Sequence, residues 1–194
     1  KRLQAVEEEQ REQTKKRNKL LYQSEHDELT GLYNKRSLNR YLEDVFEDCK
    51  LNEKELGILF LDIDYFKQLN DRYGHGKGDE GICAVADTLK RIFPEDYVAR
   101  YGGDEFLVVM TGRDLTYAME HAESLCAGIR EYKIPNEDSE LEPWLTISVG
   151  GVCAIPREPN RVWDFLSAAD NTLYEQKKEQ KGKVRFYQGE GKYL

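Results

Sequence analysis

The run Leu56-Gly-Ile-Leu-Phe-Leu-Asp-Ile-Asp64 constrains this chain more than any other stretch. It is apolar without alternation and then ends in acids. Such a run reads as a strand covered on both faces, at the centre of a sheet and not at its edge. A carboxylate at the C-terminal end of a buried strand is a common position for a ligand, and a solvated surface acid is the plainer alternative. Asp62 and Asp64 are two apart, so they share a face if the strand persists through both.

A second stretch offers a partner strand. Tyr97-Val-Ala99 and the run Phe106 to Met110 flank Gly102-Gly103-Asp104-Glu105. Apolar run, Gly-Gly, apolar run is the signature of a β-hairpin with a tight turn. The glycines permit positive φ and leave the main chain uncovered, so another molecule can approach it closely. Two adjacent carboxylates are tolerable where a cation sits between them and a ligand. A solvated acidic turn also satisfies this segment taken alone.

Helical periods fill the rest. Lys1 to Gln23 has no Gly or Pro and is dense in Glu, Gln, Lys and Arg. Glu7 with Arg11, and Glu12 with Lys16, are four apart with the acid first, the favourable order on a helix. Leu3, Val6, Gln10, Gln13, Arg17 and Leu20 alternate at three and four, a heptad seam with a polar middle. This is either a solvated helix or a coiled-coil stalk that dimerises. Gly31 breaks that pattern, and Asn34 caps a new helix with Ser37, Leu38, Tyr41, Leu42, Val45 and Phe46 on one face. After the central strand a short helix is expected at 65–72. Gly74, Gly76 and Gly78 read as an open loop, followed by a helix from near Asp79 to Pro94. An amphipathic helix is expected from Leu115 to Tyr132, with Ala118, Ala122, Leu125, Cys126 and Ile129 inward. Trp144 to Ala154 reads as a strand in which Gly150-Gly151 marks a bulge or a close approach. Val162 to Lys181 reads as the last helix, with Trp163, Leu166, Ala169, Leu173 and Tyr174 inward. Val184 to Tyr187 closes the chain as a strand.

Composition excludes some classes. The 194 residues suit one domain with an appendage. A net charge of −8, from 37 acids against 29 bases, argues against a nucleic-acid or anionic-membrane binder. It leaves a nucleotide substrate open, because a divalent metal can offset local acids. Cys49, Cys83, Cys126 and Cys153 are far apart and form no CxxC pair, which suggests buried thiols in a reducing cytosolic compartment. No run approaches the roughly 18 apolar residues of a membrane span, and no signal peptide is visible. Starting at Lys1, the chain is expected to be a piece of a longer protein, cytoplasmic or the cytoplasmic portion of a membrane-anchored sensor.

Four motifs in order now resemble one family. Arg100-Tyr-Gly-Gly-Asp-Glu-Phe106 is similar to the signature of GGDEF domains, the bacterial diguanylate cyclases. Asp27-Glu-Leu-Thr-Gly-Leu-Tyr-Asn34 resembles their lead-in motif. Leu61-Asp-Ile-Asp-Tyr-Phe-Lys-Gln-Leu-Asn-Asp71, with Gly74-His75 and Gly78-Asp79, resembles their nucleotide-binding segment. Ala169-Asp-Asn-Thr-Leu-Tyr174 with Lys177 resembles their last helix. The resemblance covers about residues 27–187 and implies an α/β (α+β) polymerase-palm-like fold, a mostly antiparallel sheet flanked by helices. It divides the chain into a helical stalk, 1–26, from an upstream region that includes a sensor, and a catalytic domain, 27–194. The implied reaction joins two GTP into cyclic di-GMP and releases two pyrophosphates. Each domain holds one GTP, so two copies must face each other as a homodimer through the stalk. Neither nucleic acid nor direct membrane contact is expected.

The resemblance also assigns roles. Asp62, the Ile63 carbonyl and Asp104 would hold Mg²⁺ or Mn²⁺, hard cations that prefer oxygen ligands and leave room for phosphate. Asp104 would assist deprotonation, with Glu105 as a further candidate for metal or base. Amides near Tyr65 and Phe66, with Lys67, Lys177 and Lys181, would neutralise the triphosphate, and Lys67 would stabilise the transition state. Lys177 and Lys181, four apart, would share one face of the last helix. Gly103 would make room for GTP. Asn70 and Asp79 would read guanine, because an ionised carboxylate only accepts and the guanine N1–H and N2–H₂ edge donates. His75 resembles a further substrate contact. Two departures stand out. Where many members carry Arg-x-x-Asp for product inhibition, this chain has Phe93-Pro-Glu-Asp96, which implies an absent or weak inhibitory site. Past Lys177 the segment Lys-Glu-Gln-Lys-Gly182-Lys183 is longer than usual, which leaves open which lysine meets phosphate. A catalytically silent module that binds GTP or cyclic di-GMP is the alternative; cyclisation of adenine nucleotides is opposed by Asp79.

Overall fold

The computed structural model describes residues 2–189, with side chains from residue 8 onward. The seam positions Leu3 and Val6, and the chain ends at Lys1 and 190–194, lie outside the described residues. In chain order the elements are α1 Arg2–Glu25, β1 Tyr33–Asn34, α2 Lys35–Leu51, β2 Leu56–Ile63, α3 Phe66–Tyr73, α4 His75–Ile92, β3 Tyr97–Gly102, β4 Glu105–Thr111, α5 Leu115–Glu131, β5 Ile147–Ala154, α6 Val162–Glu179 and β6 Val184–Phe186.

The strands form one sheet in the order β1-β3-β4-β2-β5-β6. β2 lies between β4 and β5 and pairs antiparallel with both. β3 and β4 are also antiparallel, whereas β1 on β3 and β6 on β5 are parallel. The sheet is therefore mostly antiparallel, and the apolar run is its covered middle. Side chains alternate across it. Leu59, Leu61, Ile63, Phe106 and Val108 pack with α4 and α5 on one face. Ile58, Phe60, Leu107, Val109 and Val152 pack with α2 and α6 on the other. Truncating a fully buried side chain such as Leu59 to alanine should cost about 2–5 kcal/mol.

Local chemistry sets the element ends. The Asn34 side chain accepts from the Ser37 amide at 3.0 Å and starts α2. Asp114 does the same for α5, accepting from the Tyr117 amide at 2.8 Å. At Gly150 an added Cβ would lie 2.2 Å from the Leu173 nitrogen and 2.4 Å from the Ala169 oxygen. Gly150 is thus a close-approach site with no register shift, and it seats α6 directly on β5. At Gly151 the neighbour is the Phe186 ring.

Several sequence expectations need correcting. α4 begins at His75, so Gly76 and Gly78 are helical and not part of an open loop. β5 starts at Ile147 and not at Trp144, which makes only an isolated bridge to Pro135. Trp163 and Tyr174 are exposed, and Phe165 fills the inward position instead, because α6 rests on its Phe165, Leu166, Ala169 and Leu173 side. α6 ends at Glu179, where Gln180 turns extended at φ −161°. No helix among the described residues is long and apolar enough to cross a membrane.

Candidate active site

The hairpin of β3 and β4 turns through two residues, Gly103 and Asp104. Gly103 takes φ 37°, and an added Cβ there would meet nothing within 4 Å, so the turn is open on that side. Arg100 closes the turn from within: its Nε and Nη2 donate to the Gly103 carbonyl at 3.0 and 2.7 Å. The Ile63 amide donates to the Asp104 carbonyl at 3.3 Å, which ties the end of β2 to the turn. Asp62 stands directly opposite Glu105 in the β2–β4 register. Like charges in that relation destabilise a sheet pair.

The acids respond accordingly. Burial, then the neighbouring Asp62 charge, push the Asp104 carboxyl above its usual range. Burial, Asp62, Asp104 and Asp170 do the same to Glu105. The Lys177 ammonium offsets part of this charge: its Nζ donates to Asp62 Oδ1 at 2.5 Å, both side chains being partly buried, and Lys35 acts on Glu105 from further off. Lys177 reaches this point because Gly150 lets α6 sit against the sheet.

Asp64 behaves differently. β2 ends at Ile63, and Asp64 is 1 % exposed. Its carboxylate accepts from Thr146 Oγ1 at 2.9 Å and Ser148 Oγ at 2.7 Å. Burial nevertheless pushes its pKa up. Asp62 opens toward the hairpin turn while Asp64 braces β5.

α3 follows at once. Tyr65 precedes it in the left-handed region (φ 54°, ψ 33°) and leaves the first amides of the helix without side-chain caps. Phe66 is half-buried on the core and Lys67 is exposed. Asn70 lies one turn on, with Oδ1 buried and without a hydrogen-bond partner among the described residues. A Cβ at Gly78 would lie 2.0 Å from that oxygen. Gly78 is therefore what lets α4 pass over the Asn70 amide, a contact that its reading as a loop glycine in the nucleotide-binding motif did not foresee. The clue in the sequence was its place one residue before Asp79. Asp79 and His75 are exposed at the start of α4.

Lys181 lies past the end of α6, so it does not share a helix face with Lys177 as the four-residue spacing suggested. Its Nζ stands 3.8 Å over the Tyr65 ring. The structure thus brings Asp62, Ile63, Asp104, Glu105 and Lys177 together at the hairpin. It sets Phe66, Lys67, Asn70 and Lys181 along or beside α3, and His75 and Asp79 at the α4 start. Among the described residues no three His, Cys, Asp or Glu side chains form a metal cage by themselves. A donor set of two carboxylates and a carbonyl, oxygen-only and short of cations, fits a hard divalent ion whose shell is completed by phosphate oxygens.

At the product-inhibition positions, Phe93 is 1 % exposed in the core. Asp96 accepts from the Tyr117 hydroxyl at 3.0 Å.

A six-stranded α/β sheet whose central strand and hairpin turn present acids beside an uncapped helix start is the architecture of nucleotide-cyclase-like domains. The family model described as "Diguanylate cyclase, GGDEF domain" matches residues 24–183, and the chain belongs to this family. It is 32 % identical over 164 residues to the probable diguanylate cyclase DgcC of Escherichia coli K12, covering 84 % of this chain and 43 % of that one. It is 33 % identical over 175 residues to the diguanylate cyclase DgcM of the same strain, covering 89 % and 41 %. The chain therefore spans less than half the length of these curated relatives. Among solved structures, the coiled coil and GGDEF domain of DgcB from Caulobacter crescentus, in complex with c-di-GMP, superposes with a TM-score of 0.85. That likeness covers 96 % of this chain and 97 % of the other at 22 % identity, and it speaks for the fold.

Proposed function

We propose that this chain is one half-site of a diguanylate cyclase, binding one GTP and joining it to a second GTP held by a facing copy. The observation that carries this reading is the acid cluster at the hairpin turn. Asp62, Asp104 and Glu105 are in electrostatic reach of one another, two of them with raised pKa, beside an open Gly103. Asp62 has Lys177, but Asp104 and Glu105 have no ion-pair partner among the described residues, whereas a site meant only for stability would pair them as well.

Asp62, the Ile63 carbonyl and Asp104 would hold Mg²⁺ or Mn²⁺. Such an ion, when bound, lowers the pKa of a hydroxyl and offsets charge on phosphate. The other steps belong to the protein. Asn70 Oδ1, buried and unpartnered, and the Asp79 carboxylate accept from the guanine N1–H and N2–H₂ edge. The open amides at the start of α3 meet phosphate oxygens. Lys67, Lys177 and Lys181 neutralise the triphosphate, and Lys67 faces the charge that grows on the reacting phosphate. Asp104 accepts the proton of the attacking 3′-hydroxyl. The α-phosphate takes the new bond and pyrophosphate leaves. Glu105, the neighbouring carboxylate, is the second candidate for cation ligand or base.

The hairpin presents one nucleotide, so reaction needs two copies. α1 supplies a means of pairing them, with Leu20, Leu21 and Tyr22 more than half exposed in the single chain. Purified protein incubated with GTP and Mg²⁺, with products separated by chromatography, should yield cyclic di-GMP and pyrophosphate at a rate that rises steeply with protein concentration. No cyclic dinucleotide, even from a chain forced to dimerise, would overturn the reading.

A further inference from the structure

The end of α6 leaves a question that the resemblance does not answer. Lys181 lies beyond the helix, so helical spacing does not aim it. Two hydrogen bonds fix the backbone beside it. The Gly182 amide donates to Ser148 Oγ at 3.0 Å, and Arg130 Nη2 donates to the Gly182 carbonyl at 2.9 Å. Gly182 itself takes φ 74°. These bonds place the Lys181 Cα but not its long stem, which has four rotatable bonds and would ordinarily sweep solvent.

The Tyr65 ring supplies what is missing. Lys181 Nζ lies 3.8 Å from its centroid, and no carboxylate among the described residues stands within ion-pair distance of that ammonium. The ring is itself held: the Tyr65 hydroxyl donates to Glu140 Oε2 at 3.2 Å. Its backbone is fixed as the residue before α3, at φ 54°. A ring face attracts an ammonium without neutralising it, so the charge stays available to an anion. A carboxylate in the same place would consume it.

Building on the GTP reading above, we propose that Tyr65 is a positioning residue that holds the Lys181 ammonium beside the open start of α3, where it meets the polyphosphate of the substrate. Lys177 and Lys181 then have separate tasks. Lys177 is spent on Asp62 until a metal arrives, and Lys181 is kept free for phosphate from the outset.

The test uses the whole chain, with calorimetric titration of an α,β-methylene analogue of GTP, which cannot turn over, and of GMP, which lacks the polyphosphate. Y65A keeps a Cβ and hence the same backbone demand, so it removes the ring together with its hydroxyl bond to Glu140, and Y65F separates the two. It should weaken the analogue about fivefold and leave GMP unchanged. Y65F keeps the ring and should restore affinity to within about twofold of the starting protein. In a K181M background, where the stem remains but the charge is gone, Y65A should add no further loss. Independently of any nucleotide, the Lys181 side-chain methylene protons should show an upfield ring-current shift that Y65A abolishes. Equal binding of the analogue by Y65A and the starting protein would overturn the assignment. So would equal losses for the analogue and GMP, additive losses in the double variant, or an unshifted Lys181. A starting protein that binds neither ligand would overturn the GTP site as well, whereas the other outcomes leave it standing.

Discussion

Two acidic regions sit on either side of the Arg100 guanidinium and have opposite fates. At the lead-in segment, Asp27 accepts from Arg100 at 3.1 and 3.2 Å, from Thr30 Oγ1 at 2.7 Å and from the Thr30 amide at 3.0 Å. Burial opposes its ionisation, but these bonds outweigh burial and hold its pKa below the ordinary value. At the turn, burial and then neighbouring acids push the Asp104 and Glu105 carboxyls above their usual range. One guanidinium separates the two regions, because Arg100 gives Nη1 to Asp27 and Nε and Nη2 to Gly103. A satisfied acid fixes the chain; an unsatisfied one is held ready for a ligand. Both kinds of Asp look alike in the sequence.

The largest effect should come from removing the unsatisfied acid. Asp104→Ala should lower cyclic di-GMP formation by at least about a thousandfold, with the circular-dichroism spectrum and cooperative melting retained. A variant that stays active would place the essential acid elsewhere, with Glu105 the first alternative.

Gly78→Ala comes next, because it attacks the site through space and not through charge. The new Cβ would lie 2.0 Å from Asn70 Oδ1 and must displace an acceptor that has no hydrogen-bond partner among the described residues. GTP affinity by titration should fall about tenfold or more, while ATP, which donates nothing at that edge position, should be little affected. Loss of both equally would mean that Gly78 serves only helix packing.

How far the sequence revealed these regions follows the same division. The central strand, the hairpin and the order of elements were readable, because apolar runs and turn glycines report burial directly. Asp62 and Asp104 were readable as candidates through their positions at a strand end and a turn. The fate of Asp64 was not, because the hydroxyls that receive it, Thr146 and Ser148, are more than 80 residues away in sequence. Glycine misled at 76 and 78, where local propensity says loop but α4 runs from His75; at Gly78 close packing on Asn70 leaves no room for a Cβ, whereas Gly76 is open on that side. The early end of α6 also hid the Tyr65–Lys181 contact, since helical spacing offered a simpler reason for two lysines four apart.

At the satisfied end, Asp27→Asn should lose the charge-assisted bonds to Arg100 while preserving size. A loss of about 1–2 kcal/mol is expected, at the low end because both side chains retain some solvent, or roughly 3–6 °C in melting temperature. The folded-state pKa of Asp27 lies below its ordinary 3.8. Its contribution is therefore present above pH 3.8 and lost as pH falls through the lowered value, so the gap between variant and starting protein should close only in strong acid.

The smallest effect carries the opposite sign. Without metal, Asp104→Asn relieves a carboxylate that burial and Asp62 disfavour, so at pH 7 it should raise the melting temperature by about 1–3 °C, discounted because the residue is only partly buried. The folded-state pKa of Asp104 is above 3.8, so the folded chain binds that proton more readily than the unfolded one. Stability from this group therefore falls as pH rises through the raised value, and the advantage of the variant should appear across that window and vanish near pH 3.8 and below. Adding Mg²⁺ with the non-reactive GTP analogue should reverse the order at pH 7, because only the starting protein then gains ligand stabilisation. Melting curves with and without that pair decide the matter. A variant less stable than the starting protein in metal-free buffer would show that Asp104 is satisfied in the free chain, and the contrast with Asp27 would fail.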